Sequence, residues 1–531
     1  MAKNILKRLK ENPDYFEFWQ DLRVYCQDLE IPDQKEFIDA LPLLYKRIET
    51  DGAGFELYKG LRKFAENKPM EAIDLISLIE EKDSKETLVF APSLLSGLSR
   101  ATPDFDFESK ILAYLKSREG HRVFAGIDAA YRVYFGDGHR ELAFLGKVHD
   151  ALQNIIQEKD NEQLGGIARF YNKHLKKIPQ AKDTIITLLH YDVPSVQGEV
   201  ARSLNEEFTP EEDLDFFKDC LHLLSRTDVT YKGIYRTIHF RLKDLIGSHP
   251  DIIVEYLESW VNHHQNKLRD ISILEDMMKD FQSKQPKALS ALFFKWLDLD
   301  TDTYKQALPW MIADLNSTME PIGLPKSALE KLSLTDGLYI SYMVAGFIHD
   351  RKYAAEMLYN ILEVHYDKPK IRDFIGAVFV NHLIRNYYSV TDILKRKKKA
   401  ANDTLKEIID TIIQASDSYF NRFSELERVN EFEPSDERMQ YFLKQQNVQM
   451  QRLRDGAEFR EPTFLSMLKN IHLKAGKSSF SKYRGEYTQE FEMQHISHSF
   501  EVARIQFIDE IGQEKLKIIW QNKTRDELSD Q

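Results

Sequence analysis

Along most of this chain apolar residues recur at steps of three and four rather than two. Tyr15, Trp19, Leu22, Cys26 and Leu29 form one such stripe, behind the helix-start signal Asn12-Pro13-Asp14. Ile253, Tyr256, Leu257, Trp260 and Val261 form another behind Pro250, whose missing N–H suits a first helical turn. Ala354, Met357, Leu358, Ile361 and Leu362 repeat the pattern, as do Leu405, Ile408, Ile409 and Ile412. The spacing predicts helices of about 12 to 18 residues as far as about residue 420. Polar breaks between them are short, as at Lys177-Ile178-Pro179, Thr209-Pro210 and Ser248-His249-Pro250. Helices joined by so little chain must run antiparallel to their neighbours.

One stretch repeats itself. Leu188-Leu189, then Asp192-Val193, then Gly198 recurs as Leu223-Leu224, Asp228-Val229 and Gly233, an offset of about 35 residues that fits one helical hairpin. The segment Asp192-Val193-Pro194-Ser195-Val196, followed by Glu199-Val200-Ala201 and Leu204, resembles the turn and second helix of a HEAT or armadillo repeat. The likeness is clearest over residues 180–260. It implies a mainly α fold, an α-solenoid of antiparallel helical hairpins, in which each hairpin buries its apolar face only by stacking on the next. The alternative is an irregular helical domain with two adjacent hairpins that look alike.

After residue 420 the character changes. The expected division is a helical-repeat solenoid over 1–420, a linker over 421–436 and a small C-terminal basic and aromatic α+β segment over 437–531. Helical spacing returns at 437–454 and 463–473, then fails beyond Gly476. Phe491, Met493 and His495 alternate with polar residues, as do Phe500, Val502 and Arg504. A turn at Ile511-Gly512-Gln513 and a strand at Leu516–Trp520 complete a hairpin or meander. A helix over 500–508 is the competing assignment.

Composition narrows the function classes. Two cysteines among 531 residues cannot make a disulfide framework, and no apolar leader follows the basic start, so a cytoplasmic setting is expected. The longest apolar runs, 339–348 and 374–384, fall well short of the ~20 residues of a membrane span and read as core helices. A net charge of −12 argues against non-specific nucleic-acid binding by the chain as a whole and favours protein partners.

Candidate chemistry is sparse. Gly476-Lys477-Ser478 has the end of a phosphate loop, but Ile471 stands where the loop needs glycine. His495, His498, Glu501 and Arg504 are ligand or acid–base types within ten residues and are the catalytic candidates. Their constant step of three does not keep them on one face of a helix or a strand. Lys474, Lys477, Lys482 and Arg484 lie in a basic, aromatic-rich stretch, 441–484, with the mixture that binds single strands by charge and stacking. The run Lys395–Lys399 reads as a solvated helix end, His263-His264 as solvent-facing, and Cys26 and Cys220 as core residues. No metal or cofactor is implied. The expected function is a protein-interaction scaffold offering an extended acidic surface to partner proteins. Nucleic-acid binding through 441–484 and an enzyme site in the C-terminal segment are the alternatives.

Overall fold

The computed structural model describes residues 15–51, 55–102, 105–158, 161–206, 208–316, 319–425, 478–483, 486–492 and 509–529. The chain is mainly helical, and among these residues no helix is long and apolar enough to cross a membrane. It divides into two compact units, Met1–Leu292 with Leu299–Thr318, and Phe293–Asp298 with Met319–Gln531.

The first unit opens with α1 (Tyr15–Gln27), α2 (Gln34–Asp51), α3 (Glu56–Asn67), α4 (Pro69–Lys82), the single turn α5 (Lys85–Leu88) and α6 (Ala91–Ala101). Then come α7 (Phe107–Leu115), α8 (Gly120–Arg132), α9 (Gly138–Glu158), α10 (Asn161–Lys173), α11 (Ala181–Leu189) and α12 (Pro194–Glu206). The series continues with α13 (Leu214–Leu224), α14 (Lys232–Leu245), α15 (Pro250–His263) and α16 (Glu275–Lys284). Next are α17 (Pro286–Asp298), which ends in the second unit, and α18 (Asp302–Ala313).

These helices pack in two ladders that skip alternate members. In the first, α1, α3, α6, α8, α10, α12, α14 and α16 each touch the next. In the second, α7 packs on α9, and α11, α13, α15 and α18 follow one another in the same way. Side chains extend the second ladder: Lys110 of α7 holds Glu80 of α4, and Gln153 of α9 donates to the Thr184 hydroxyl of α11.

The first ladder is tight because small residues sit at its steps. A Cβ at Gly97 would overlap the Arg62 carbonyl and the Ala65 methyl, and Gly60 and Gly165 lie as close to Cys26 and Ser195. Both ladders bury large rings, Phe170, Tyr171 and Tyr235 in the first and Phe217, Tyr256 and Trp260 in the second. The two aspartates of the repeat turn their corners differently. Asp192 adopts a left-handed backbone (φ 54°), a conformation that short polar side chains tolerate, while Asp228 accepts from the Thr230 N–H at 2.9 Å.

The second unit contains α19 (Lys326–Leu329), α20 (Leu334–Phe347), α21 (Arg351–His365) and α22 (Pro369–Val378), which runs into a π-helical turn at Phe379–Ile384. Helices α23 (Val390–Lys398) and α24 (Asp403–Glu425) follow. Strands β1 (Ser478–Tyr483) and β2 (Glu486–Glu492) pair antiparallel. The apolar runs at 339–348 and 374–384 are buried helical core of this unit. The basic run closes α23, with Lys397 on Glu356, Lys398 on Asp410 and Arg396 on Glu320.

The expected turn at Ile511-Gly512-Gln513 and strand at Leu516–Trp520 are instead one helix, α25 (Glu510–Gln521), followed by α26 (Arg525–Ser529). Asp509 caps α25 by accepting from the Gly512 N–H at 2.9 Å, so the glycine lies in a first helical turn. Helix α25 lies against α20. Gln513 accepts from His382 Nδ1 at 2.7 Å and from the Asn386 amide at 3.3 Å, and Trp520 stands edge-on to His382 and Phe374. Arg525 pairs with Asp336 and Asp298 and covers the Tyr339 ring.

Candidate functional site

The ladders of the first unit differ in charge. Helices of the first carry sixteen Lys and Arg against twelve Asp and Glu; those of the second, with α4 included, carry seven against fifteen. The acidity of the whole chain is therefore not spread evenly over this unit.

The excess positive charge of the first ladder has a periodic element. Arg62, Arg100, Arg132, Arg169, Arg202 and Arg236 stand one per helix on α3, α6, α8, α10, α12 and α14. Neighbouring arginines are joined step by step. Arg62 and Arg100 both reach Glu66, at 3.9 and 3.6 Å. Arg100 lies over the Tyr134 ring, and Ser96 of its helix donates to the Arg132 carbonyl at 3.0 Å. Arg132 and Arg169 share Asp128, at 2.7 and 3.4 Å. Asn172 donates to the Glu199 carbonyl beside Arg202, and Asn205 donates to the Thr237 carbonyl beside Arg236.

Three tyrosines back the cations. Arg132 covers Tyr58, and both Arg169 and Lys173 cover Tyr131, at 5.2 and 4.6 Å. Such stacking holds a guanidinium in place while leaving its edge open to a ligand. Five of the side chains keep 30 to 55% of their surface in solvent, from Arg169 to Arg202. The arrangement can bind anions along its length.

A second candidate is a cleft of about 390 Å³ between α13 and α15, lined by Asp215, Lys218, Asp219, His222, Glu255 and Tyr256. His222 Nδ1 lies 2.8 Å from Ser259 Oγ, which suggests a nucleophile and its base. The rest of the network removes that reading. A guanidinium can only donate, so Arg226, 3.0 Å from His222 Nε2, leaves the proton on Nδ1, facing the serine. Ser259 must then donate to Ser225, 2.7 Å away, because the Ser225 proton goes to the His222 carbonyl. Every proton in the chain is committed, and the imidazole has no lone pair for the serine. Burial, reinforced by Arg226, also holds the His222 pKa below its ordinary value.

Of the residues singled out from sequence, His495, His498, Glu501, Arg504, Lys474, Lys477 and Arg484 lie outside the described residues. Lys482 falls in β1, but its side chain is outside them too. Ser478 and Ser479 open that strand rather than the helix a phosphate loop requires. Cys26 and Cys220 are buried, and burial pushes the Cys26 thiol up to about 12 and raises that of Cys220 further, which makes neither a nucleophile.

His264 departs from the solvent-facing position expected of it. It is 7% exposed, and its Nε2 lies 3.0 Å from the Ser225 carbonyl and 3.3 Å from the Tyr235 hydroxyl. The arginine row forms no contiguous run of charge in the sequence. Its sequence signal is one arginine every 32 to 38 residues, close to the repeat length already seen at Asp192 and Asp228. No protein-family model matches this chain, and no curated protein matches it.

Proposed function

We propose that this protein is an interaction scaffold, an α-solenoid whose second ladder offers an extended acidic surface to partner proteins. The observation that carries the reading is the sorting of charge between the two ladders. Helices that skip alternate members and touch only near neighbours present a long surface for little core, which suits docking better than enclosure of a small substrate. The polar cleft supports the same reading, since its serine and histidine protons are spent on joining α13 to α15. A cytoplasmic setting and a separate role for the segment 437–531 belong to this proposal.

The test is chemical crosslinking of the full chain in its native lysate, followed by identification of the crosslinked peptides. Partner proteins should join along α4, α9 and α11. Changing Asp74, Asp150 and Asp183 to Lys, all exposed on those helices, should abolish these crosslinks. Crosslinks that survive the triple charge reversal would overturn the reading, as would the absence of any protein partner.

A further inference from the structure

We infer that the arginine row of the first ladder binds single-stranded nucleic acid by its phosphate backbone. The inference rests on the scaffold reading for the unit's architecture, and it gives the opposite ladder a partner of its own. Four observations carry it.

The first is the choice of residue. All six positions are arginine, and a guanidinium engages two phosphate oxygens at once, whereas lysine acts as a point charge. The second is extent. At the 8–10 Å between packed helices, five steps span about 45 Å, far more than a small anion occupies. A ligand that meets every step must itself be a repeating polyanion.

The third is the pairing. Glu66 and Asp128 are each shared by two arginines, so along these steps cations outnumber the carboxylates that hold them in place. Asp128 is 5% exposed and cannot turn outward to repel a phosphate. Glu199, paired to Arg202 at 3.0 Å, is a further carboxylate in contact with the row. The fourth is the rings. Tyr58 and Tyr131 are half-buried beneath their cations, Tyr134 is 51% exposed and Phe240 of α14 is 59% exposed. Tyr58 and Tyr131 hold their cations, while the exposed ring surface of Tyr134 and Phe240 suits the faces of unpaired bases, which stack for about 1–3 kcal/mol each. A duplex hides those faces, and an acidic peptide lacks them.

The test measures anisotropy of a fluorescent 30-nucleotide single strand with the full chain from 50 to 300 mM salt. Binding should weaken with salt, with a logarithmic slope of about −4 if six phosphates are engaged. Replacing Arg100, Arg169 and Arg202 by Ala should lower affinity at least 30-fold and reduce the slope by about 2. A charge-matched control, Lys110, Lys182 and Lys218 to Ala on the second ladder, should retain affinity within about 2-fold. Should the alanine variant lose its helical circular dichroism, the same three positions changed to Lys keep the charge; a 5-fold or greater loss in that folded variant supports bidentate contact.

The inference fails if no binding occurs at 50 mM salt, or if the control loses as much as the row variant. It also fails if polyglutamate of equal charge competes as well as unlabelled strand, or if only replacement of Lys474, Lys477, Lys482 and Arg484 abolishes binding. Protein crosslinks along α4, α9 and α11 that persist while strand binding is absent would separate this failure from failure of the scaffold reading.

Discussion

The two ladders of the first unit are built from the same alternating helices yet are held together differently. Steps of the first close on glycine: Gly60 on Cys26, Gly97 on Arg62, Gly165 on Ser195. Steps of the second are crossed by ion pairs, Lys110 to Glu80, Arg140 to Glu108, Lys182 to Asp213 and Lys218 to Glu255. Ion pairs cross steps of the first ladder too, Arg100 to Glu66 and Arg169 to Asp128, but each of these carboxylates serves two arginines, which leaves positive charge at its surface. In the second ladder the cations are used at the steps, and the surplus that remains is acidic.

The comparison implies that the ion pairs of the second ladder contribute little stability beside its rings. Trp260 is fully buried and donates its indole N–H to the Tyr235 hydroxyl at 3.1 Å. Trp260→Ala should cost about 4 kcal/mol, read as faster hydrogen exchange of the α15 amides; a loss below about 1 kcal/mol would mean the ladder does not depend on this core. On the first ladder, Gly97→Leu should cost about 2–3 kcal/mol through the clash with the Arg62 carbonyl, with exchange rising in α3 and α6 together. Unchanged exchange there would show that the step can open at no cost.

Lys218→Ala, by contrast, should cost under about 1 kcal/mol, because both Lys218 and Glu255 are partly solvated. A larger loss would reverse the ranking of rings over ion pairs.

A carboxyl group near the end of the same unit gives an effect confined to higher pH. Burial, with Glu275 nearby and only partly opposed by Lys279, pushes Asp314 up to about 7. Its unfolded value is about 3.8, so the folded state prefers the protonated form and stability falls as pH rises from about 4 through 7. Asp314→Asn removes that loss and should raise the melting temperature by roughly 5 °C or more at pH 8 and leave it unchanged at pH 4. An equal shift at both values would show that Asp314 is not a titrating group in this range.

Much of the helical order was legible, because burial leaves apolar residues at steps of three and four. Every residue of the Ile253 to Val261 stripe is buried, and Pro250 opens α15 as expected. Helix α25 was not legible for the converse reason. Its apolar residues Ile511, Ile518 and Ile519 are 84, 53 and 46% exposed, while the polar Gln513 is buried against His382. A stripe drawn through the isoleucines therefore points away from the contact. Nothing local marks His264 as buried, because its partner, the Ser225 carbonyl, is 39 residues away in sequence. The arginine row was hidden by a total: a net charge of −12 says nothing about how acids and bases are sorted between alternate helices.

The docking of α25 on α20 bears on how the chain is made. Ladder steps in the first unit join segments some 30 to 40 residues apart, so each can close soon after its helices leave the ribosome. The second unit closes its local steps in the same way, as His365 does on the Leu329 carbonyl 36 residues before it, but its last contacts come late. Phe374 and His382 wait for Trp520, and Asp298 and Asp336 wait for Arg525, which at 5–20 residues per second is a delay of roughly 10 to 30 s or more. During synthesis, then, the faces of α20 and α22 that α25 covers are the last of this unit to be shielded from water.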